Sequence, residues 1–254
     1  MKRKEQTSWN RVKNWYSKSQ DHKGDFFHRE LILPNLLRLM QLQKKDTLLD
    51  LACGEGILSR AIPPISQYVG VDIAPGLIVE AKEKNTNKFA VFYVGDVSEP
   101  LQIHDKNFTH ASIVLALQNI QDPEGVFANA AENLASKGKL FIVLNHPYFR
   151  IPKATAWMED YRNNVQFRRV DKYMTPHKIP IDMTPGRTSS KEITVSFHYP
   201  LSFYIEYLSK AGFVISNIEK WISPKKSEGK YATMENIARN EFPMFMCIVA
   251  EKVS

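Results

Sequence analysis

Three aspartates and two glycines are spaced so that a sheet edge could grip a nucleotide-like ligand. Thr47 to Ile62 reads TLLDLACGEGILSRAI. It holds an apolar run around Asp50, a turn on Gly54 and Gly56, and a helix with Leu58, Ala61 and Ile62 facing inward. A strand, a glycine turn and a helix form the half-unit that binds such ligands at the carboxyl end of a parallel sheet. Glycine suits the turn because the backbone must approach a ligand closely and can need positive φ. Asp72 ends the next apolar run, Tyr68 to Val71. It lies roughly twenty residues past the start of the turn, where such folds set a carboxylate on ribose hydroxyls. Asp96 follows a third run, Phe89 to Val94. Any one of these acids could be an ordinary surface residue, but three at successive strand ends line one edge of one sheet.

The elements that must position them follow from periodicity. Strands are expected at 47–53, 67–73 and 89–95, with helices at 56–62 and 75–86 between them. A fourth strand spans Phe108 to Leu115. Asp122-Pro123-Glu124 opens the next helix, with proline at the first position and acids in the first turn. Ser136 to Lys139 reads as a turn into a fifth strand, Leu140 to Leu144. This alternation calls for a doubly wound α/β sheet with right-handed crossovers. The rhythm stops over residues 148–200, where prolines punctuate a charged, aromatic stretch. Val165–Tyr173 and Glu192–His198 alternate there like exposed strands, and the segment reads as an inserted lid. A helix at 201–211 ends at Gly212, and a sixth strand spans 213–221. Residues 223–240 read as a polar loop, and Phe242 to Glu251 as a seventh strand in an antiparallel finish.

Ahead of the sheet, residues 1–44 read as a helical cap. Trp9, Val12, Trp15 and Tyr16 recur at helical spacing. Phe26 to Gln43 is a second helix, with Pro34 marking a kink or a first turn.

Composition narrows the classes. The 254 residues are 43% hydrophobic with two cysteines, Cys53 and Cys247. They suit one domain with an insertion and buried free thiols in a reducing compartment. No apolar run is long enough to span a bilayer, and the basic amino terminus lacks the apolar core of a secretory signal. A cytoplasmic protein without a membrane partner is expected. The formal charge is +7, spread over the chain rather than in blocks. That permits a nucleic-acid partner without requiring one.

LLDLACGEG, VDIAPGLIVEAK and VGDV resemble the successive cofactor motifs of the class I S-adenosylmethionine-dependent methyltransferases, over roughly residues 45–147 and with a compatible tail from Leu201 to Val253. Ala52 stands where that family often has its first glycine. The resemblance implies a Rossmann-like methyltransferase fold with a seven-stranded, mostly parallel sheet, and S-adenosyl-L-methionine as cofactor. It implies that Asp50, Ala52, Cys53, Gly54 and Gly56 line the amino-acid end of the cofactor. Asp72 would take the ribose hydroxyls, Ile73 pack on adenine, and Asp96 and Val97 bind the adenine edge. Leu115 would lie near the methyl donor, and Trp15 or Tyr16 would fold over the methionine carboxylate.

On the acceptor side, Gln118 and Asn119 follow strand four, where the nucleophile approaches in this family. His146 sits at the end of strand five and either packs as a core histidine or accepts a proton as general base. Asn145-His146-Pro147-Tyr148 is not the Asn-Pro-Pro-Tyr signature of amino-methylating enzymes, since the strand is wrong and a proline is missing. Tyr148, Arg150, Tyr173, His198 and Tyr204 could line a pocket under the lid. No spacing of His, Cys, Asp and Glu suggests a metal. A small-molecule methyltransferase is the favoured reading. An RNA methyltransferase comes next, and a non-catalytic binding protein retaining the fold comes last.

Overall fold

A computed structural model describes residues 24–183 and 192–253. The readings placed on Trp9, Val12, Trp15 and Tyr16 lie outside the described residues. Seven strands form the central sheet: β1 (Thr47–Leu51), β2 (Gln67–Asp72), β3 (Ala90–Val94), β4 (Phe108–Val114), β5 (Leu134–Asn145), β10 (Phe213–Trp221) and β11 (Phe245–Lys252). Their order is β10-β11-β5-β4-β1-β2-β3. The pairs from β3 through β5 are parallel, and β11 runs antiparallel to both β5 and β10. The chain thus fills one side of β1, then crosses back to place β4 on the other. In open α/β sheets that reversal leaves a crevice at the carboxyl strand ends.

Both faces are covered, so the parallel strands carry continuous apolar runs rather than alternation. Leu49, Leu51, Val71, Ile113 and Ile142 pack on one face with Val126, Phe127, Ala130 and Leu208. These come from α4 (Pro123–Asn133) and α5 (Leu201–Lys210). Leu48, Tyr68, Phe92 and Phe141 pack on the other face with Leu36, Met40, Leu58 and Ile78. Those come from α1 (Leu33–Met40), α2 (Ile57–Ala61) and α3 (Pro75–Lys84). Pro34 sits in the first turn of α1, directly after a wider π turn at His28–Ile32. A proline has no amide to donate and its ring crowds the preceding turn, and the wider turn lies where that crowding would fall.

Three expectations are corrected. The turn at Ser136–Lys139 is strand, because Leu134 pairs with Phe108 and Lys139 with His110 across an irregularity in register. The polar loop at 223–240 ends in a helix, α6 (Ala232–Glu241), which buries Met234 and Ala238 four residues apart. That helix moves the start of the last strand from residue 242 to Phe245. The insertion after β5 holds two hairpins, β6 (Thr155–Asp160) with β7 (Val165–Val170), and β8 (His177–Asp182) with β9 (Ile193–His198). β7 and β9 are the alternating segments read from the sequence, and their partner strands were not.

Candidate active site

The turn after β1 is held from several sides. Cys53 N donates to Val71 O at 3.0 Å, and Gly56 N closes the turn onto Cys53 O at 3.0 Å. Glu55 is buried and ion-paired to Lys84 of α3 at 2.6 Å, with Arg60 at 3.5 Å. Gly56 has φ +72, and a Cβ there would stand 3.0 Å from the Phe92 ring, so conformation and space both demand glycine. Gly54 differs. Its φ is +56, and a Cβ there would meet nothing within 4 Å. The backbone at Gly54 therefore borders open space, as a cradle for a ligand requires.

Asp72, only 6% exposed, ties that cradle to β2. Its Oδ2 accepts from Gly54 N at 2.9 Å and its Oδ1 from Ala74 N at 2.8 Å. Burial pushes its carboxyl above the usual range, and the two backbone amides pull it back. Each carboxylate oxygen has two lone pairs, so Asp72 keeps acceptor capacity beyond those amides. Ile73 follows with its side chain exposed, an apolar group at the lip of the edge. Asp96 accepts from both Ser98 N (2.9 Å) and Ser98 Oγ (2.7 Å) through one oxygen, Oδ1. It caps a turn and leaves Oδ2 outside that pair of bonds. Val97 is buried in the core, and its carbonyl accepts from Asn129 Nδ2 at 2.7 Å.

Ala52 occupies the left-handed region, with φ +58. That conformation explains why glycine suits the position. It costs an L-residue about 1–2 kcal/mol, against about 0.5–1 kcal/mol of extra unfolded-state entropy for glycine. Ala52→Gly is therefore expected to raise the unfolding free energy by up to about 1 kcal/mol in urea titration. A loss of stability would show that Ala52 carries no strain.

The Asp50 carboxylate is bonded within the sheet. Its Oδ2 accepts from Tyr68 Oη at 2.5 Å and its Oδ1 from Ser112 Oγ at 2.7 Å. The group ties β1 to β2 and β4 inside the sheet. Burial pushes its carboxyl up to about 6, against the lowering effect of those two hydroxyls. Between about pH 4 and 6 the folded chain therefore holds a proton that the unfolded chain releases, so stability from this group falls as pH rises. Asp50→Asn is expected to be more stable than the parent at pH 8, by on the order of 3 kcal/mol, with the gain vanishing near pH 4. Denaturant titrations at both pH values would show it, and a gain equal at both would contradict it. Cys53 packs where Gly70 has no Cβ, which would stand 2.8 Å from its Sγ. Burial first, then Asp72 and Asp50, raise its thiol well above the usual value, so it is not a thiolate.

At the end of β4, Leu115 also has positive φ, +51. A non-glycine residue in such strain is often part of a site. Its carbonyl accepts from Gln118 Nε2 at 2.7 Å and from Asn119 Nδ2 at 3.5 Å. A carbonyl can only accept, so this bond fixes the Gln118 amide and turns Oε1 the other way, where it is buried without a partner. Gln118 lines a pocket together with Asn145, Arg150, Ser196, His198 and Tyr204. Its cavity volume is about 30 Å³. The walls come from β5, the 3₁₀ turn Leu117–Asn119 and the last residues of β9. Four residues expected on the acceptor side, Gln118, Arg150, His198 and Tyr204, thus meet there. Asn119, Tyr148 and Tyr173 do not line it. Tyr148 and Tyr173 stack on each other at 4.4 Å, and Tyr173 Oη accepts from Leu201 N at 3.1 Å. Ser196 was missed by sequence reasoning, although it sits two residues before His198 on an alternating strand and so shares its face.

The two histidines differ. His198 Nε2 donates to Tyr173 O at 2.7 Å. A carbonyl partner fixes the proton on Nε2 and leaves Nδ1 as the accepting nitrogen of a pocket-lining ring. Burial lowers its pKa below the ordinary imidazole value, so the ring is neutral at pH 7. His146 is 2% exposed, stacks on Phe149 at 4.8 Å and does not line the pocket. Its Nδ1 accepts from Tyr148 N at 3.3 Å, so the proton sits on Nε2, which is buried without a partner. Burial, Lys220 and Arg150 lower its pKa to about 4. His146, expected as the base, thus has its accepting nitrogen bonded to Tyr148 N and its ring outside the pocket.

Residues 49–142 match the methyltransferase domain family. A fission-yeast protein, from Schizosaccharomyces pombe, carries the name of an uncharacterised methyltransferase. It is 25% identical over 129 residues, 49% of this chain and 49% of its own length. A demethylmenaquinone methyltransferase from Staphylococcus aureus is 30% identical over 92 residues, 34% of this chain and 38% of its own. The chain thus spans half or less of the length of these curated relatives. Among solved structures, an S-adenosylmethionine-dependent methyltransferase from Mesorhizobium loti superposes with TM-score 0.66 at 19% identity, covering 85% of this chain and 96% of that one. Another from Clostridium acetobutylicum gives 0.62 at 18%, covering 97% and 100%. These likenesses show the fold. Within that fold, the matched methyltransferase domain covers residues 49–142. Those two solved structures are named for their dependence on S-adenosylmethionine, and the open cradle at Gly54 beside Asp72 fits that group. No helix among the described residues is long and apolar enough to cross a membrane, and no His, Cys, Asp and Glu group among them could hold a metal ion.

Proposed function

We propose that the chain transfers a methyl group from S-adenosylmethionine to a nitrogen or oxygen of a small acceptor. The observation that carries this reading is the Gly54 backbone bordering open space while bonded to Asp72. Bound there, the cofactor supplies a methyl already activated by its positive sulfur. The chain's residues have to hold it, align the acceptor and keep water out. Asp72 binds the ribose hydroxyls, Ile73 packs on the adenine, and Asp96 with Val97 meets the adenine edge. Ala52, Cys53, Gly54 and Gly56 shape the amino-acid end, joined by Tyr16 from the amino-terminal segment. The strained Leu115 faces the transfer point.

Residues 148–200 enclose the acceptor in the pocket beneath β9. His198 takes the proton lost by the nucleophile, at Nδ1. A compact acceptor suits a narrow pocket better than a polynucleotide does, since single-stranded nucleic acid calls for a continuous basic groove with stacking aromatics. Calorimetric titration of the full chain with S-adenosylmethionine is expected to show one saturable site. Absence of binding would remove the reading.

A further inference from the structure

One unpaired cation lines the acceptor pocket. Arg150 lines it, and among the described residues its guanidinium makes no ion pair and no side-chain hydrogen bond. Its surroundings add cations. Arg168, whose Nε donates to Phe149 O at 2.9 Å, lies next to it, and Arg239 comes from α6. None of these three is ion-paired to a carboxylate among the described residues. Arg239 Nε is buried without a partner. Partly buried cations in such a cluster oppose one another, and burial together with Arg239 disfavours the charge on Arg150. A protein ordinarily pairs such charges.

We infer that the methyl acceptor is a small hydroxy or amino acid, or its phosphate counterpart, whose oxyanion is gripped by Arg150. This rests on the pocket being the acceptor site of the proposed methyltransferase. A guanidinium fork matches a carboxylate or phosphate edge with two parallel hydrogen bonds.

The test reads binding rather than turnover. The full chain, saturated with S-adenosylhomocysteine, is titrated by ligand-observed NMR with matched pairs: salicylate against salicylamide and lactate against lactamide. Inorganic phosphate and a short RNA form separate arms. The acids are expected to bind at least tenfold more tightly than their amides. Arg150→Met should abolish that preference and Arg150→Lys keep part of it. The melting temperature of Arg150→Met should stay level or rise, because an unpaired cation leaves the interior. Phosphate binding more tightly than the acids, in the same Arg150-dependent way, would support the oxyanion site and assign it to a phosphorylated acceptor. Equal binding of acid and amide, a preference surviving Arg150→Met, or RNA displacing every acid would overturn the inference. Failure of S-adenosylhomocysteine itself to bind would instead remove the cofactor reading beneath it, so the two failures are distinguishable.

Discussion

Asp72→Ala is expected to weaken S-adenosylmethionine binding at least a hundredfold in calorimetric titration. Two hydrogen bonds from a charged group to ribose hydroxyls are worth about 1.5–3 kcal/mol each, and each 1.4 kcal/mol is a factor of ten. The side chain also anchors Gly54 N and Ala74 N, so its loss frees the turn that borders the ligand. Asp72→Asn keeps an accepting oxygen and should fall between the two. Because burial pushes the Asp72 carboxyl up, the cofactor's hydroxyls and positive charge should also favour its ionised form. Affinity should then decline as pH drops and Asp72 gains a proton, and Asp72→Asn should lose that decline. Unaltered affinity in Asp72→Ala would mean that the cofactor cradle lies elsewhere.

The second large effect belongs to His198. His198→Gln is expected to lower turnover by about a hundredfold or more, in the range typical of a general base. Cofactor affinity should hold. The parent's rate should fall on the acid side as the ring gains a proton. Since burial places the His198 pKa below the ordinary imidazole value, that limb should lie below the usual histidine range and be absent from the variant. His146→Gln provides the contrast, because its free nitrogen carries a proton and the ring lies outside the pocket. A collapse of rate in His146→Gln with none in His198→Gln would return the base to His146.

The difference between those histidines marks where the sequence stops being informative. His146 stands directly after a strand end, and its position alone recommends it. Which nitrogen is free depends on Tyr173 O, 25 residues from His198 along the chain, and no local pattern carries that. The cofactor side was far more legible. The apolar runs, the glycine turn and Asp72 are local signals, and the strands appear within a few residues of their expected bounds because burial on both faces writes continuous apolar runs. Asp50 shows the limit even there. Its place in the motif suggested a ligand contact, and no local pattern shows that Tyr68 and Ser112, from neighbouring strands, each donate to one of its oxygens.

The α6 helix was hidden for a related reason. It rests on Met234 and Ala238 alone, too narrow an apolar stripe to stand out from a polar loop. In the insertion, β6 and β8 have exposed faces and weak alternation. Their pairing is set by the hairpins rather than by composition.

The central claim is that the glycine turn after β1 and the acid ending β2 hold an adenosyl sulfonium between them. A crystal structure of the full chain with S-adenosylhomocysteine tests it most directly. The account predicts the thioether nucleoside lying over Gly54, with both ribose hydroxyls within hydrogen-bonding reach of the Asp72 carboxylate and the sulfur turned toward Leu115. A nucleoside bound away from that edge, or Asp72 making no contact with its sugar, would contradict it.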